Sequence, residues 1–219
     1  MTRTSWFLFD AYGTLLDVES AGRACDPQDL PPGVTSVWRA KQLEYTWTSQ
    51  AMGAYRDFEV LTAEALEYAL SATGARRGAR EGLRHAYLEL EPFPETLAVL
   101  KALRDSGLRL AVLSNGTAAM LATALDSAGI CPFLDDIISV DEIRTYKPVP
   151  RAYSHAIERL GAEPSEIRFV SANAWDAAGA QRAGLDATWI NREGRPGEYG
   201  LVTASGERQD LRRLLTTLH

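Results

Sequence analysis

The sequence predicts an α/β fold: a doubly wound parallel sheet core interrupted by an inserted helical cap subdomain. Three observations carry that expectation. Short apolar runs alternate with stretches of helical periodicity. Several runs are apolar at successive positions, as in strands buried on both faces. After the first run comes a stretch of roughly eighty residues without a convincing strand, too long for a connection and therefore a unit of its own.

The first strand is Trp6-Phe7-Leu8-Phe9, which leaves Asp10 at its carboxyl end. Further strands are expected at Leu110-Ala111-Val112-Leu113, Ile137-Ile138, Ile167 to Val170 and Ala187 to Ile190. Pro94 opens a helix with Leu97, Leu100 and Leu103 before Gly107, and Pro150 opens another with Tyr153, Ile157 and Leu160 before Gly161. Met120, Leu121, Ala124 and Leu125 form the apolar face of a third helix, so Ser114-Asn115-Gly116 lies between a strand and a helix start. Within the insertion, Val34 to Met52 and Thr62 to Leu70 read as helix, between the Pro27 to Gly33 stretch and Pro92-Phe93-Pro94. Ser205-Gly206 introduces a last amphipathic helix over Leu211 to Leu215. The expected division is a core of residues 1–16 and 93–219 and a cap of residues 17–92.

Composition narrows the function classes. The chain has 219 residues, 46% hydrophobic and 24% charged, with a net charge of −6. That balance is globular, and a pI near 5.2 argues against a nucleic-acid surface. Arg76, Arg77, Arg80 and Arg84 read as one solvated helix face rather than a binding patch. No apolar run reaches membrane-spanning length, and Met1 to Phe9 has no signal-peptide cleavage pattern, so a cytoplasmic protein with no membrane partner is expected. Cys25 and Cys131 form no C-x-x-C pair and read as reduced thiols; His85, His155 and His219 show no ligand or nucleophile spacing.

Four segments fall at strand ends, where ligands bind in open parallel sheets. They are Asp10-Ala11-Tyr12-Gly13-Thr14, Ser114-Asn115-Gly116, Lys147-Pro148 and Ser171-Ala172-Asn173-Ala174-Trp175-Asp176. Taken alone, Asp10 would read as a turn residue and Ser114 or Asn115 as a helix cap. Together and in this order they resemble the motifs of the haloacid dehalogenase superfamily, with a Rossmann-like core, across nearly the entire chain. Phosphatases of that superfamily carry a second Asp two residues after the nucleophile. Here that position is Tyr12, which is not an ionised carboxylate near neutral pH and weakens both the acid role and a magnesium site. Asp-Ala-Tyr-Gly-Thr and the cap segment Val37-Trp38-Arg39-Ala40-Lys41-Gln42-Leu43-Glu44-Tyr45-Thr46-Trp47 are instead similar to the L-2-haloacid dehalogenases (type II).

The resemblance implies hydrolytic dehalogenation of a small 2-haloacid with inversion at C2, needing neither metal nor other cofactor. Asp10 would be the nucleophile, oriented by Thr14, with the substrate carboxylate on Ser114 and neighbouring amides. Arg39, the Asn115 amide and Trp175 would cradle the halide. Lys147, Ser171, Asn173 and Asp176 would position the hydrolytic water, and Tyr12, Leu43, Phe58 and Trp175 would form an apolar wall. Homodimers are common in this family. Two other readings stay open at this point: a magnesium-dependent phosphatase of the same superfamily, and a non-catalytic binding module.

Overall fold

The computed structural model describes residues 4–26, 28, 30–76, 78–201 and 209–217. Among them the strands are β1 (Trp6–Phe9), β2 (Arg109–Ser114), β3 (Asp136–Ser139), β4 (Ile167–Ser171) and β5 (Asp186–Trp189). They form one parallel sheet in the order β3-β2-β1-β4-β5. This is the doubly wound core expected from the alternating pattern.

The helices are α1 (Ser20–Arg23), α2 (Val34–Ala51), α3 (Phe58–Thr73), α4 (Ala79–Leu88), α5 (Thr96–Asp105), α6 (Ala118–Ser127), α7 (Pro150–Leu160) and α8 (Ala174–Arg182). Successive side chains of β1 point to opposite faces, and the central strand therefore serves two layers. Phe7 and Phe9 pack with Val99, Leu103, Leu121 and Leu125 of α5 and α6, and that cluster continues into the inserted helices through Trp38, Phe58 and Leu66. Trp6 and Leu8 face Ala152, Tyr153, Leu160 and Ala180 of α7 and α8.

The helix signals hold where their chemistry is local. Pro150 stands in the first turn of α7, and Gly161 ends it in the left-handed conformation at φ 58°. Asp57 caps α3 by accepting from Val60 N at 2.8 Å, which moves its start ahead of the expected Thr62. α1 to α4 lie between β1 and α5 in the chain, and α2 joins α3 by buried polar contacts. Trp38 Nε1 donates to the Thr62 carbonyl at 2.9 Å, and Gln42 Nε2 donates to Thr62 Oγ1 at 2.7 Å.

Three details differ from the sequence reading. The segment Leu211–Thr217 is a 3₁₀ helix rather than an α-helix; Leu211 and Leu214, three apart, are buried, and Arg212 and Arg213 between them are exposed. The third helix starts at Ala118 under a Thr117 cap that accepts from Met120 N at 3.3 Å, so neither Ser114, the last residue of β2, nor Asn115 caps it. β5 is a half-exposed edge strand ending at Trp189, not Ile190. Arg77, Pro27, Asp29, Ser205 and Gly206 lie outside the described residues. Among the described residues, no helix is long and apolar enough to cross a membrane. Cys25 and Cys131 are not joined in a disulfide.

Candidate active site

β1 and β4 are neighbours, and the chain winds outward from them in opposite senses, which opens a crevice at their carboxyl ends. Asp10 follows β1 there, with its backbone N–H held by the Val170 carbonyl at 2.9 Å. Gly13, at φ 88°, lets the chain turn at once, and its N–H closes on the Leu16 carbonyl at 2.7 Å. The turn aims Thr14 back at the carboxylate, where Thr14 Oγ1 donates to Asp10 Oδ2 at 2.8 Å.

Lys147 reaches the same point from the segment between β3 and α7. Its Nζ donates to Asp10 Oδ1 at 2.8 Å, Asp176 Oδ2 at 2.7 Å and the Leu113 carbonyl at 3.0 Å, which uses all three ammonium hydrogens. All three charged residues are withdrawn from water: Asp10 is 4% exposed, Lys147 1% and Asp176 0%. Burial alone would favour a neutral Lys147, but the two carboxylates outweigh it and hold the ammonium above its ordinary range. Burial pushes the Asp176 carboxyl up to about 6, with Lys147 opposing and the Asp10 charge adding to the rise.

The fourth motif supplies the remaining contacts. Ser171 Oγ donates to Asp176 Oδ2 at 3.0 Å, and Asn173 N donates to Ser171 Oγ at 3.1 Å. Asn173 Nδ2 donates to Asp10 Oδ2 at 2.8 Å and to the Tyr12 carbonyl at 3.3 Å. The amide was expected among the groups that position the hydrolytic water; its contact here is with the Asp10 carboxylate, because the turn after β4 faces the turn after β1. Trp189 Nε1 on the Ala172 carbonyl, at 3.2 Å, braces that turn.

Ser114 and Asn115 are buried beside this group. Gly116 N donates to Ser114 Oγ at 3.2 Å, and Asn115 Oδ1 accepts from Lys147 N at 2.9 Å, so the second motif also seats Lys147. On the helical side, Arg39, Leu43 and Trp47 recur every fourth residue on α2 and line a cavity of about 500 Å³ with Asn173 and Trp175. Arg39 donates to Gln42 Oε1 at 2.7 Å and to the Tyr12 carbonyl at 3.2 Å. A second cavity, of about 630 Å³, is walled partly by Lys147, Trp47 and Trp175. Trp47 and Trp175 meet edge to face at 5.4 Å between the two.

Phe58 does not line the 500 Å³ cavity; it packs 5.8 Å from the Tyr12 ring and backs it, while Tyr87 stacks on Tyr12 at 5.3 Å. Burial drives the Tyr12 phenol well above its ordinary range, and its hydroxyl has no partner among the described residues. A neutral phenol thus stands where the related phosphatases carry an acid.

The oxygens around Asp10 are engaged by donors of the protein itself. The Asp10 and Asp176 oxygens already take an ammonium, and the Tyr12 carbonyl takes the Arg39 and Asn173 donors. Among the described residues, no group of three acidic, histidine or cysteine side chains is placed to hold a metal.

Sequence reasoning missed three groups. Tyr153 Oη donates to Asp176 Oδ1 at 2.6 Å; it was read as apolar core, which its ring is, against Phe169. Gln42 accepts from Arg39 and donates to Tyr87 Oη at 3.0 Å. Its position on the buried face with Trp38 and Thr46, a polar residue at helical spacing, was an available signal. The third group, Arg192 with Glu95, had no sequence signal.

Comparison with known proteins agrees with this geometry. The family model of the haloacid dehalogenase-like hydrolases matches residues 4–184. The chain belongs to that family. Within it, the chain is 44% identical to (S)-2-haloacid dehalogenase 1 of Pseudomonas sp. (strain CBS-3), over 94% of this chain and 93% of that one. It is 43% identical to (S)-2-haloacid dehalogenase 4A of Burkholderia cepacia, over 88% and 85%. Among solved structures it resembles the L-2-haloacid dehalogenase of Xanthobacter autotrophicus with chloropropionic acid covalently bound. There the TM-score is 0.79 and the identity 38%, covering 86% of this chain and 78% of that one. This family member is therefore similar in fold and over most of its length to proteins named as dehalogenases of 2-haloacids.

Proposed function

We propose that this hydrolase converts L-2-haloalkanoic acids to D-2-hydroxyalkanoic acids and halide through an ester on Asp10. The observation that carries the reading is the Lys147 ammonium clamped between two buried carboxylates, with the neutral Tyr12 phenol where a phosphatase would need an acid. Positive charge is supplied by the protein itself, with the Lys147 ammonium 2.8 Å from the carboxylate that would attack.

In the first step an Asp10 oxygen attacks C2, the new C–O bond forms on the face opposite the breaking carbon–halogen bond, and the halide leaves with the electron pair. Oδ1 has one donor and Oδ2 two, so Oδ1 keeps more of its lone-pair density for the attack. Arg39, Trp175 and the Asn115 amide receive the halide, while Ser114 and adjacent amides orient the substrate carboxylate. Leu43 faces the substrate, with Tyr12 backed by Phe58. In the second step Asp176 takes a proton from water, which adds to the ester carbonyl of Asp10. The bond to the alkoxy oxygen then breaks, Asp176 returns its proton to that oxygen as the hydroxy acid departs, and the acid formed on Asp10 releases its proton to solvent, which restores the carboxylate. Tyr153 and Ser171 hold Asp176 for this role.

The division into a core of residues 1–16 and 93–219 and a cap of 17–92 fits this chemistry, since a cap supplying Arg39 would exclude water at closure. A homodimer is consistent with the exposed Trp47, Met52, Val60 and Tyr68 on or beside α2 and α3. We assign the protein to the cytoplasm and give it no nucleic-acid or membrane partner.

The test is halide release from the separate L and D enantiomers of 2-chloropropionate, with EDTA present, by the unsubstituted chain and by Asp10→Asn. Release from the L form alone, lost in Asp10→Asn, is the expected result. No halide but magnesium-dependent phosphate release from phosphoesters would transfer the site to the phosphatases, and inactivity in both assays would favour a binding module.

A further inference from the structure

Arg192 lies just beyond β5, and its guanidinium reaches the junction where the chain leaves the core and re-enters it. Nε and Nη2 donate to Glu95 Oε1 at 3.0 and 2.8 Å. Nη2 also donates to the Thr14 carbonyl at 2.9 Å, and Nη1 to the Gly13 carbonyl at 3.3 Å. The guanidinium carbon sits 3.7 Å from the centroid of the Phe93 ring. Both partners of the ion pair are mostly withdrawn from water, at 17% and 9% side-chain exposure. On the same junction the Leu15 carbonyl accepts from Phe93 N and from Thr96 Oγ1, both at 3.1 Å.

One side chain therefore ties three segments: the turn after Asp10, the re-entry segment at Phe93 to Glu95, and the loop after β5. It also lines the 500 Å³ cavity beside Asn173. Glu95 balances its charge and four of its five N–H donors are committed, so it does not act there as a free cation for an anionic substrate. The two carbonyls it grips flank the residue that steadies the nucleophile, since Thr14 Oγ1 donates to Asp10 Oδ2. A planar fork can serve a carboxylate and two carbonyls at once, which a lysine ammonium at the end of a flexible stem cannot reproduce.

We infer that Arg192, held by Glu95, is a positioning residue for the nucleophile: it fixes the Gly13–Thr14 turn so that the Asp10 carboxylate is presented in line for attack. This assignment rests on the dehalogenase reading above. A carboxylate displaced by about 1 Å from its reacting geometry loses on the order of a hundredfold in rate without losing the substrate pocket.

The experiment uses the full chain with Arg192→Met and Glu95→Gln. Arg159→Met is the control, since Arg159 pairs with Asp136 and Glu142 away from the site. Turnover of L-2-chloropropionate is measured with hydrogen exchange of the peptide spanning residues 10–17, each variant's folded state being checked by near-ultraviolet circular dichroism. For Arg192→Met we expect kcat to fall on the order of 10²-fold with KM within about threefold. Amides in 10–17 should exchange at least about tenfold faster, and the control should change neither readout. Glu95→Gln keeps the carbonyl contacts but loses the charge pair, and is expected to lose roughly tenfold in kcat; it carries the test if Arg192→Met does not fold. A kcat within about twofold of the parent in both variants, or exchange of 10–17 no faster than in the control, overturns the assignment. If the parent releases no halide from either enantiomer, the dehalogenase reading fails, and the exchange measurement alone decides whether the clamp exists.

Discussion

Replacing Lys147 with Met leaves two buried carboxylates facing each other. In the native chain the ammonium lies 2.8 Å from Asp10 and 2.7 Å from Asp176, with all three groups buried. Removing one partner of such a group costs about 3–5 kcal/mol, because the remaining charges are desolvated and unpaired. In a domain of this size each kcal/mol moves Tm by about 2–4 °C, so a loss of roughly 6–20 °C is expected near pH 8. The pH dependence fixes the cause. Without Lys147 the folded-state pKa of the carboxylate pair rises above its unfolded value near ~3.9. The folded state then binds more protons than the unfolded state, so stability falls as pH rises, by up to about 1.4 kcal/mol per pH unit. The deficit against the parent should therefore narrow between pH 8 and pH 5. Thermal unfolding of parent and variant at both pH values measures this, and adding Asp176→Asn should recover part of the loss at pH 8. A Tm deficit below about 3 °C at pH 8, or one equal at both pH values, would refute the reasoning.

Other consequences follow from the same geometry. A Cβ on Gly179 would stand 2.6 Å from both Pro148 Cβ and Tyr153 Oη, so Gly179→Ala should push the phenol off Asp176 and slow turnover about tenfold or more, read as kcat with folding checked separately. Asp176 must be ionised to take a proton from water. With its carboxyl pushed up to about 6, ester hydrolysis should fall roughly tenfold per pH unit below that value, and a flat single-turnover profile from pH 7 to 5 would contradict the base role. Asp176→Asn should accumulate the ester on Asp10, visible as added mass on the intact chain after substrate is supplied. Because protein cations already occupy the oxygen set, EDTA and added magnesium should each change halide release by less than about twofold.

The alternation of buried runs and amphipathic stretches made the sheet and its helices legible, because burial on one or two faces leaves a periodic trace in the chain. Local punctuation located most helix ends, as at Pro150 and Gly161. It failed at the last segment, where a leucine spacing of three suits a 3₁₀ helix as well as an α-helix. The four motifs brought Asp10, Ser114, Lys147, Ser171, Asn173 and Asp176 into the same site reading, since each ends a strand, lies between a strand and the next helix, or stands in that helix's first turn. What they touch was not legible. Asn173 turned out to hold the nucleophile, and Phe58 to back Tyr12.

By itself, then, the sequence determined the fold class, the strand-end placement of the motifs and the uncharged residue at Tyr12. Those properties depend on residue type and local spacing. Only the tertiary structure decided that Tyr153 completes Asp176, that Gln42 and Tyr87 support Arg39, and that Arg192 and Glu95 brace the turn after Asp10. Their donors meet acceptors up to 179 residues away along the chain, a proximity created by sheet order and packing that local periodicity does not encode.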